Sequence, residues 1–308
     1  MTHRRTAETG PALMVLIEMA HEGGVTLRFD AEETAKHDLP DDPFVERNAP
    51  LGDRVDICFA LGGDGTILNA LRRFAGTGVP VFGINFGEMG FLATVDREEA
   101  AAGTLRALAG DFEVLSLPGI EIAGAGTPAF GVPGLAASGF GVADAAIPAA
   151  GAAGAPIPAL AINDISIHRQ PGKRVADLEY SVGGDEVGRV RCDGLVVSTP
   201  AGSTGYNLAN GGPVMAWGVQ GYVVSFISPH SLTARTLVVA PSDRMTIGNR
   251  SQEEPVEVTI DGRPIGVLEA ADRLEVRFVP DCGCLAQIPG TTFYQRLRQK
   301  FGRLATPL

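Results

Sequence analysis

Val55-Asp56-Ile57-Cys58-Phe59-Ala60-Leu61 runs directly into Gly62-Gly63-Asp64-Gly65-Thr66, and Ile67, Leu68, Leu71 and Phe74 follow before Gly76. The first seven residues are mostly apolar and of strand length, while the later four fall on one side of a helix. Strand, glycine turn and helix in that order open an α/β unit. A second round follows at once: a strand over 81–84 after Pro80, a turn through Asn85-Phe86-Gly87-Glu88-Met89-Gly90-Phe91, and a helix over 98–108. Strands alternating with helices predict a parallel sheet, with ligands bound beyond the carboxyl ends of its strands. Upstream, 6–22 spaces its apolar residues as a helix that ends at Gly23-Gly24, and 25–29 reads as a short strand.

Downstream of Gly110 the rhythm changes. Over 119–160, 28 of 42 residues are Gly, Ala or Pro, and only Glu121 and Asp144 are charged. Such a stretch reads as a loop or flexible excursion, and Pro148, Pro156 and Pro158 argue against a membrane-spanning helix in it. Beyond it lie strand candidates at 162–168, 178–182, 194–198, 256–260 and 274–279, separated by Gly, Pro and Asp. The expected fold is an α/β N-terminal domain with a parallel sheet, followed by a β-rich, β-sandwich-like second domain. The expected division is 1–112, an excursion at 113–160, and 161–289.

Composition narrows the function. The 308 residues carry 25 Lys+Arg against 36 Asp+Glu, a formal net charge of -11. That balance offers no long-range attraction to nucleic acid or an anionic membrane, so a phosphate-bearing substrate must be met by local cations, a metal or backbone amides. Four cysteines, Cys58, Cys192, Cys282 and Cys284, are too few and too irregular for a disulfide framework or a four-ligand zinc site. Pro11, Glu18 and His21 interrupt the apolar stretch near the N-terminus, which leaves no signal core and points to the cytoplasm.

In the glycine turn, N–H groups at Gly62, Gly63, Gly65 and Thr66 suit phosphate oxygens, because glycine permits positive φ and close backbone approach. Asp64 among them makes sense as the acceptor of a proton from an attacking hydroxyl, or as a metal ligand. The plainer reading is a tight turn with a solvated aspartate. No Gly-x-x-x-x-Gly-Lys-Ser/Thr run appears, and no Gly-x-Gly-x-x-Gly follows the first strand. A second concentration, Asp193 through Asn207 with Gly211-Gly212-Pro213, ends a β-branched strand in hydroxyls, glycines, an aromatic and an amide. It suits a polar ring compound, or else a loop of ordinary turn formers.

These segments, with Asn163-Asp164, Ser228-Pro229-His230-Ser231-Leu232, Asp261-Gly262-Arg263 and Leu297-Arg298-Gln299-Lys300-Phe301-Gly302, occur in an order that resembles the NAD kinases. The likeness covers most of 55–302. Gly-Gly-Asp-Gly-Thr is shared with lipid kinases, so the Asp193 to Asn207 block discriminates. The resemblance implies transfer of a phosphoryl group from ATP, or polyphosphate, to the adenosine ribose 2′-hydroxyl of NAD, with Asp64 as the base and Mg²⁺ or another divalent ion assisting. It implies ATP-phosphate contacts at Gly62, Gly63, Gly65 and Thr66. For NAD it implies Asp64, Gly65, Phe91, Asn163, Asp164, Arg191, Asp193, Ala201, Thr204, Gly205, Tyr206, Asn207 and Arg263, with Tyr206 packed on a base. No residue is assigned as a protein metal ligand.

The resemblance further implies a site shared by the two domains, a terminal segment 290–308 that joins the first domain, and assembly as a homodimer or homotetramer. Ala201 and Gly205 replace Thr and Ala of the family's Thr-Pro-Thr-Gly-Ser-Thr-Ala-Tyr loop, and Thr236 stands where Pro is frequent. The family opens with an apolar strand, whereas this chain reads as opening at the first helix. His230 reads as a structural histidine, and Arg296, Arg298 and Lys300 as a solvated helix face. The competing functions are a lipid kinase of the diacylglycerol kinase type and a non-catalytic NAD-binding regulator.

Overall fold

The computed structural model describes residues 1–50, 55–87, 90–123 and 159–302. In chain order the elements are α1 (Thr6–Glu22), β1 (Leu27–Arg28), α2 (Ala31–Lys36), β2 (Val45–Glu46), β3 (Cys58–Gly62), α3 (Asp64–Arg73), β4 (Pro80–Asn85), β5 (Val95–Asp96), α4 (Ala100–Leu108) and β6 (Glu113–Ala123). They continue with β7 (Ala159–Ala161), β8 (Asp164–Arg169), β9 (Ala176–Val182), β10 (Asp185–Cys192), β11 (Gly194–Ser198), α5 (Tyr206–Ala209), β12 (Tyr222–Ile227) and β13 (Leu237–Val239). The last are β14 (Met245–Asn249), β15 (Val256–Ile260), β16 (Arg263–Leu268), β17 (Arg273–Gln287) and α6 (Phe293–Phe301). The chain divides into two compact units, Met1–Ser116 with Gly283–Leu308, and Leu117–Cys282.

In the first unit, β3 and β4 pair in parallel, and β4 pairs in parallel with β5 at one end and with Cys284–Leu285 of β17 at the other. Residues on alternate sides of these strands meet different helices. Phe59, Leu61, Phe82 and Ile84 join Leu13, Leu16 and Ile17 of α1 and Ala107 of α4 in one buried cluster. On the other face α3 buries Ile67, Ala70 and Leu71, and a methyl at Gly83 would lie 2.6 Å from Ile67 Cδ1. A parallel strand covered on both faces is apolar throughout, which explains the unbroken run at 57–61.

Before α1, residues 1–3 lie along β3: the His3 N–H donates to Leu61 C=O at 2.8 Å and the Leu61 N–H to Met1 C=O at 2.9 Å. Thr2 thereby forms a parallel bridge to Leu61. The reading of a chain that opens at the first helix is corrected to this extent. A short parallel stretch precedes it.

In the second unit, β13, β12, β11, β8, β15 and β16 form one antiparallel sheet in that order. Facing it, β10, β9, β14 and Arg273–Val276 of β17 pair antiparallel. Ile165, Ile167, Leu195, Val197, Val224 and Val258 of the first sheet share a core with Leu178, Tyr180, Met245, Ile247, Leu274 and Val276 of the second. This is the expected β-sandwich. Residues 113–123, placed in the excursion and read as loop from 119, are instead the strand β6: Ile120 and Ile122 are buried, and Ile120 pairs with Ala161. Ala159 and Leu160, at the far end of the Gly/Ala/Pro-rich stretch, are strand as well, and 124–158 lie outside the described residues. Among the described residues no helix is long and apolar enough to cross a membrane.

Ile167 is fully buried in the sandwich core. Ile167→Ala should lower stability by about 2–5 kcal/mol, seen as a lower urea midpoint at an unchanged slope.

Candidate functional site

The Gly-Gly-Asp-Gly-Thr turn lies where β3 ends and α3 begins, and Asp64 is the first residue of the helix. Positive φ and close backbone approach are the two reasons expected for its glycines, and none of Gly62, Gly63 and Gly65 adopts the first. At Gly62 the reason the structure supplies is space. A Cβ on Gly62 would stand 2.3 Å from Thr66 Oγ1, and one on Gly87 would stand 3.4 Å from the Gly63 Cα. The two glycine turns thus approach each other backbone to backbone, and the Phe86 N–H donates to the Gly62 carbonyl at 3.0 Å.

Asp64 accepts hydrogen bonds from two successive amides, Phe91 N–H at Oδ2 (2.9 Å) and Leu92 N–H at Oδ1 (3.0 Å). Each carboxylate oxygen keeps a further lone pair for an incoming hydroxyl. Burial raises the Asp64 pKa, opposed by those two amides and by the charges of Arg296 and Lys300. A carboxylate moved up toward neutrality is a better general base than a solvated one. Glu88 and Met89 of the second turn lie outside the described residues.

Phe91 is buried, and its ring packs on Phe301 with centroids 5.1 Å apart. Its carbonyl accepts from Arg296 Nη1 at 3.0 Å, while Nη2 donates to Gln287 Oε1 at 3.0 Å. Arg296 is therefore not on a solvated helix face. It is 6% exposed, and burial brings its pKa down to about 10. Lys300, one turn further along α6, donates to Asp96 Oδ1 at 3.1 Å, and Asn85 Nδ2 donates to the same oxygen at 3.0 Å. The positive charge near Asp64 is carried by α6, far along the chain, which is why the spacing of residues 61–92 did not reveal it.

In the second unit, Asn163 and Asp164 open β8. Asp164 is 6% exposed, and its pKa is pushed up to about 7 by burial and by the neighbouring Asp261 carboxylate. Asp261 was not singled out in the sequence, where only Arg263 of its turn was. Its carboxylate accepts from three consecutive amides: Ile162 at 3.2 Å, Asn163 at 2.7 Å and Asp164 at 3.0 Å. From the other side, the Thr199 N–H donates to the Asn163 carbonyl at 2.9 Å and Thr199 Oγ1 donates to Ile162 at 2.6 Å.

The hydroxyl-rich loop is held from within. Ala201, Ser203 and Asn207 are buried. Ser203 Oγ donates to Pro200 at 2.7 Å and accepts from the Met215 N–H at 2.9 Å. The Asn207 amide donates to Ser203 and Pro213 carbonyls at 3.0 and 2.9 Å, so its donors tie the loop together. Thr204 Oγ1 donates to Ala201 at 3.3 Å, and Gly205 follows, exposed. Tyr206 is 37% exposed and stacks on His168, ring centroids 5.6 Å apart and 14° from parallel. His168 Nε2 shares a hydrogen bond with Ser166 Oγ at 2.9 Å, and Ser166 with Thr259 Oγ1 at 2.6 Å.

Asp193, partly exposed, is paired with Arg169. Arg191 is exposed, and its carbonyl accepts from the His230 N–H at 2.8 Å. His230 is itself exposed, which does not fit a buried structural histidine. Arg263 begins β16, partly exposed. Among the described residues no cluster of three or more His, Cys, Asp or Glu forms a metal cage.

Asp164 has a consequence for stability. Between the ordinary aspartate value, about 3.9, and about 7, the folded state holds a proton that the unfolded state has lost. Stability therefore falls across that window and is flat above it. Asp164→Asn removes this loss, so its unfolding free energy should gain on wild type between pH 4 and pH 8, at most roughly 1.4 kcal/mol per pH unit of the window. Thermal melts at several pH values measure this.

The chain matches the ATP-NAD kinase N-terminal domain family over residues 7–112 and the ATP-NAD kinase C-terminal domain family over 162–281. It is 36% identical over 253 residues to an NAD kinase of Symbiobacterium thermophilum, covering 82% of this chain and 80% of that one. With an NAD kinase of Rhodopirellula baltica it shares 32% over 248 residues, 80% of this chain and 72% of the relative. Its fold is similar to that of yeast NADH kinase complexed with NADH, at TM-score 0.80 and 22% identity over 100% of this chain and 88% of that one. It is also similar to an NAD kinase from Archaeoglobus fulgidus in complex with ATP, at TM-score 0.61 and 23% identity over 84% and 88% of the two chains. With both domain families matched in order and such relatives along four-fifths of its length, the chain belongs to the ATP-NAD kinase family.

Proposed function

We propose that this protein transfers the terminal phosphoryl group of ATP to the 2′-hydroxyl of the adenosine ribose of NAD, releasing ADP and NADP. The observation that carries the reading is the Asp64 carboxylate, fixed by the Phe91 and Leu92 amides at the start of α3. In the reaction Asp64 accepts the hydroxyl proton, the ribose oxygen forms a bond to the γ-phosphorus, and the bond from that phosphorus to the bridging oxygen breaks. ADP leaves with the bonding pair. Phosphoryl transfer is governed by positioning and by neutralising charge on the equatorial oxygens. The amide end of α3, with Gly62, Gly63, Gly65 and Thr66, offers partial positive charge for ATP phosphates.

The divalent ion enters as part of the substrate, MgATP, where phosphate oxygens ligate it. The second unit supplies recognition of the dinucleotide. Asn163 and Asp164 bind its polar groups, Tyr206 stacks on a base, and Ala201, Thr204 and Gly205 line the loop that Asn207 holds in shape. Asp193, Arg191 and Arg263 complete these contacts, as do Phe91 and Gly65 in the first unit. A loop rich in hydroxyl and glycine, in place of an apolar acceptor groove, favours NAD over a lipid alcohol. We further propose a cytoplasmic homodimer or homotetramer.

The test is NADP formation from NAD and MgATP, read through an NADP-dependent dehydrogenase, with diacylglycerol and no-acceptor controls. Asp64→Asn should cut kcat by about 10²–10⁴-fold and leave NAD affinity largely intact; unchanged turnover would defeat the assignment.

A further inference from the structure

Asp261 and Gly262 form the two-residue connection between β15 and β16, across which Ile260 pairs with Arg263. Both residues take positive φ, 47° and 73°, the backbone of a type I′ hairpin turn, where Asp, Asn and Gly are favoured. That turn sends the Asp261 side chain back to the start of β8. There it meets the amides of Ile162, Asn163 and Asp164, while its own N–H donates to the Asp164 carbonyl at 2.8 Å. One residue thus makes four hydrogen bonds to three consecutive positions.

We infer that Asp261 is a positioning residue for dinucleotide binding, whose carboxylate holds the backbone of Asn163 and Asp164 so that their side chains face the ligand. The inference rests on the reading of Asn163 and Asp164 given above. The opposite side of the same backbone is equally confined. Besides the two Thr199 contacts, Ser198 Oγ donates to the Asn163 carbonyl at 3.3 Å, and a Cβ on Gly202 would lie 2.2 Å from that oxygen. Held on both sides, Asn163 leaves its buried Oδ1 with no hydrogen-bond partner among the described residues. A buried acceptor without a donor is costly unless a ligand supplies one.

Chemistry also says why a carboxylate stands at 261. Two oxygens accept three converging N–H groups, whereas an amide in the same place brings one acceptor and one donor, and the donor would oppose an N–H. The charge has a second effect, since Asp261 faces the buried Asp164 and helps keep it protonated. The other titratable group that bears on Asp164 is Tyr206, whose ionisation both Asp164 and Asp193 oppose.

The experiment compares Asp261→Asn with wild type in the full chain, measuring KM for NAD, KM for ATP, kcat, and the pH dependence of kcat/KM for NAD. Asparagine suits positive φ, so the hairpin should persist, and circular dichroism verifies the fold. The expected result is a KM for NAD raised about tenfold or more, with kcat and KM for ATP within about threefold, the pattern of lost ground-state binding. The acid limb of kcat/KM should also move to lower pH, because Asp164 has lost a neighbouring negative charge. An unchanged KM for NAD overturns the inference. A raised KM with an unmoved acid limb does so too, since that is what a merely structural defect gives. Asn163→Ala and Asp164→Asn are run alongside. If neither alters KM for NAD, the reading of the pair itself has failed, whereas an effect there with none in Asp261→Asn removes only the role of Asp261.

Discussion

Two successive backbone amides pointing at one largely desolvated carboxylate, Asp64, hold the first glycine turn of this protein in shape. Desolvation favours the neutral acid at Asp64, and these amides favour the carboxylate. Phe91 and Leu92 supply the amides, so the second glycine turn is bound to the first by the same carboxylate that we propose as the base. The Phe91 carbonyl is in turn held by the buried Arg296, which lies almost at the end of the described chain. Asp64, the second turn and α6 form one connected arrangement.

The second unit solves the same problem again. Asp261 is the acceptor of three amides, and Asp164, beside it, takes a proton up to about pH 7 in place of a counter-charge. In both units a loop is held by side-chain acceptors meeting consecutive N–H groups. The Thr199, Ser203 and Asn207 contacts tie down the hydroxyl-rich loop as well. Its hydroxyls and amide are spent largely on the protein itself, leaving Tyr206 as the aromatic face turned outward.

Much of the architecture was legible. The helix expected over 6–22 is α1, Thr6–Glu22, and the strands expected over 194–198 and 256–260 match β11 and β15, since short buried strands bounded by turn residues leave a clear pattern. Other strands escaped notice. The strand β6 hides its last residues in a Gly/Ala-rich stretch, where Gly119 has no room for a Cβ, which would lie 2.8 Å from Cys282 Sγ. Composition reported a loop because small residues serve close packing and chain flexibility alike. Gly62 misled in a similar way, being required by proximity and not by dihedral angle.

What the sequence determined by itself was the order of chemistry-bearing groups: the strand-turn-helix around Asp64, the Asn163-Asp164 pair and the Asp193 to Asn207 block, each a local pattern. What only the tertiary structure decided was which groups hold them. Arg296 read as a solvated helix residue and is buried against Phe91, and Asp261 read as part of a turn and is the anchor of residues nearly a hundred positions earlier. Local spacing reports which side chains share a face. Hydrogen bonds between distant segments depend on how the strands are ordered in the sheet, and that ordering is a property of the folded chain as a whole.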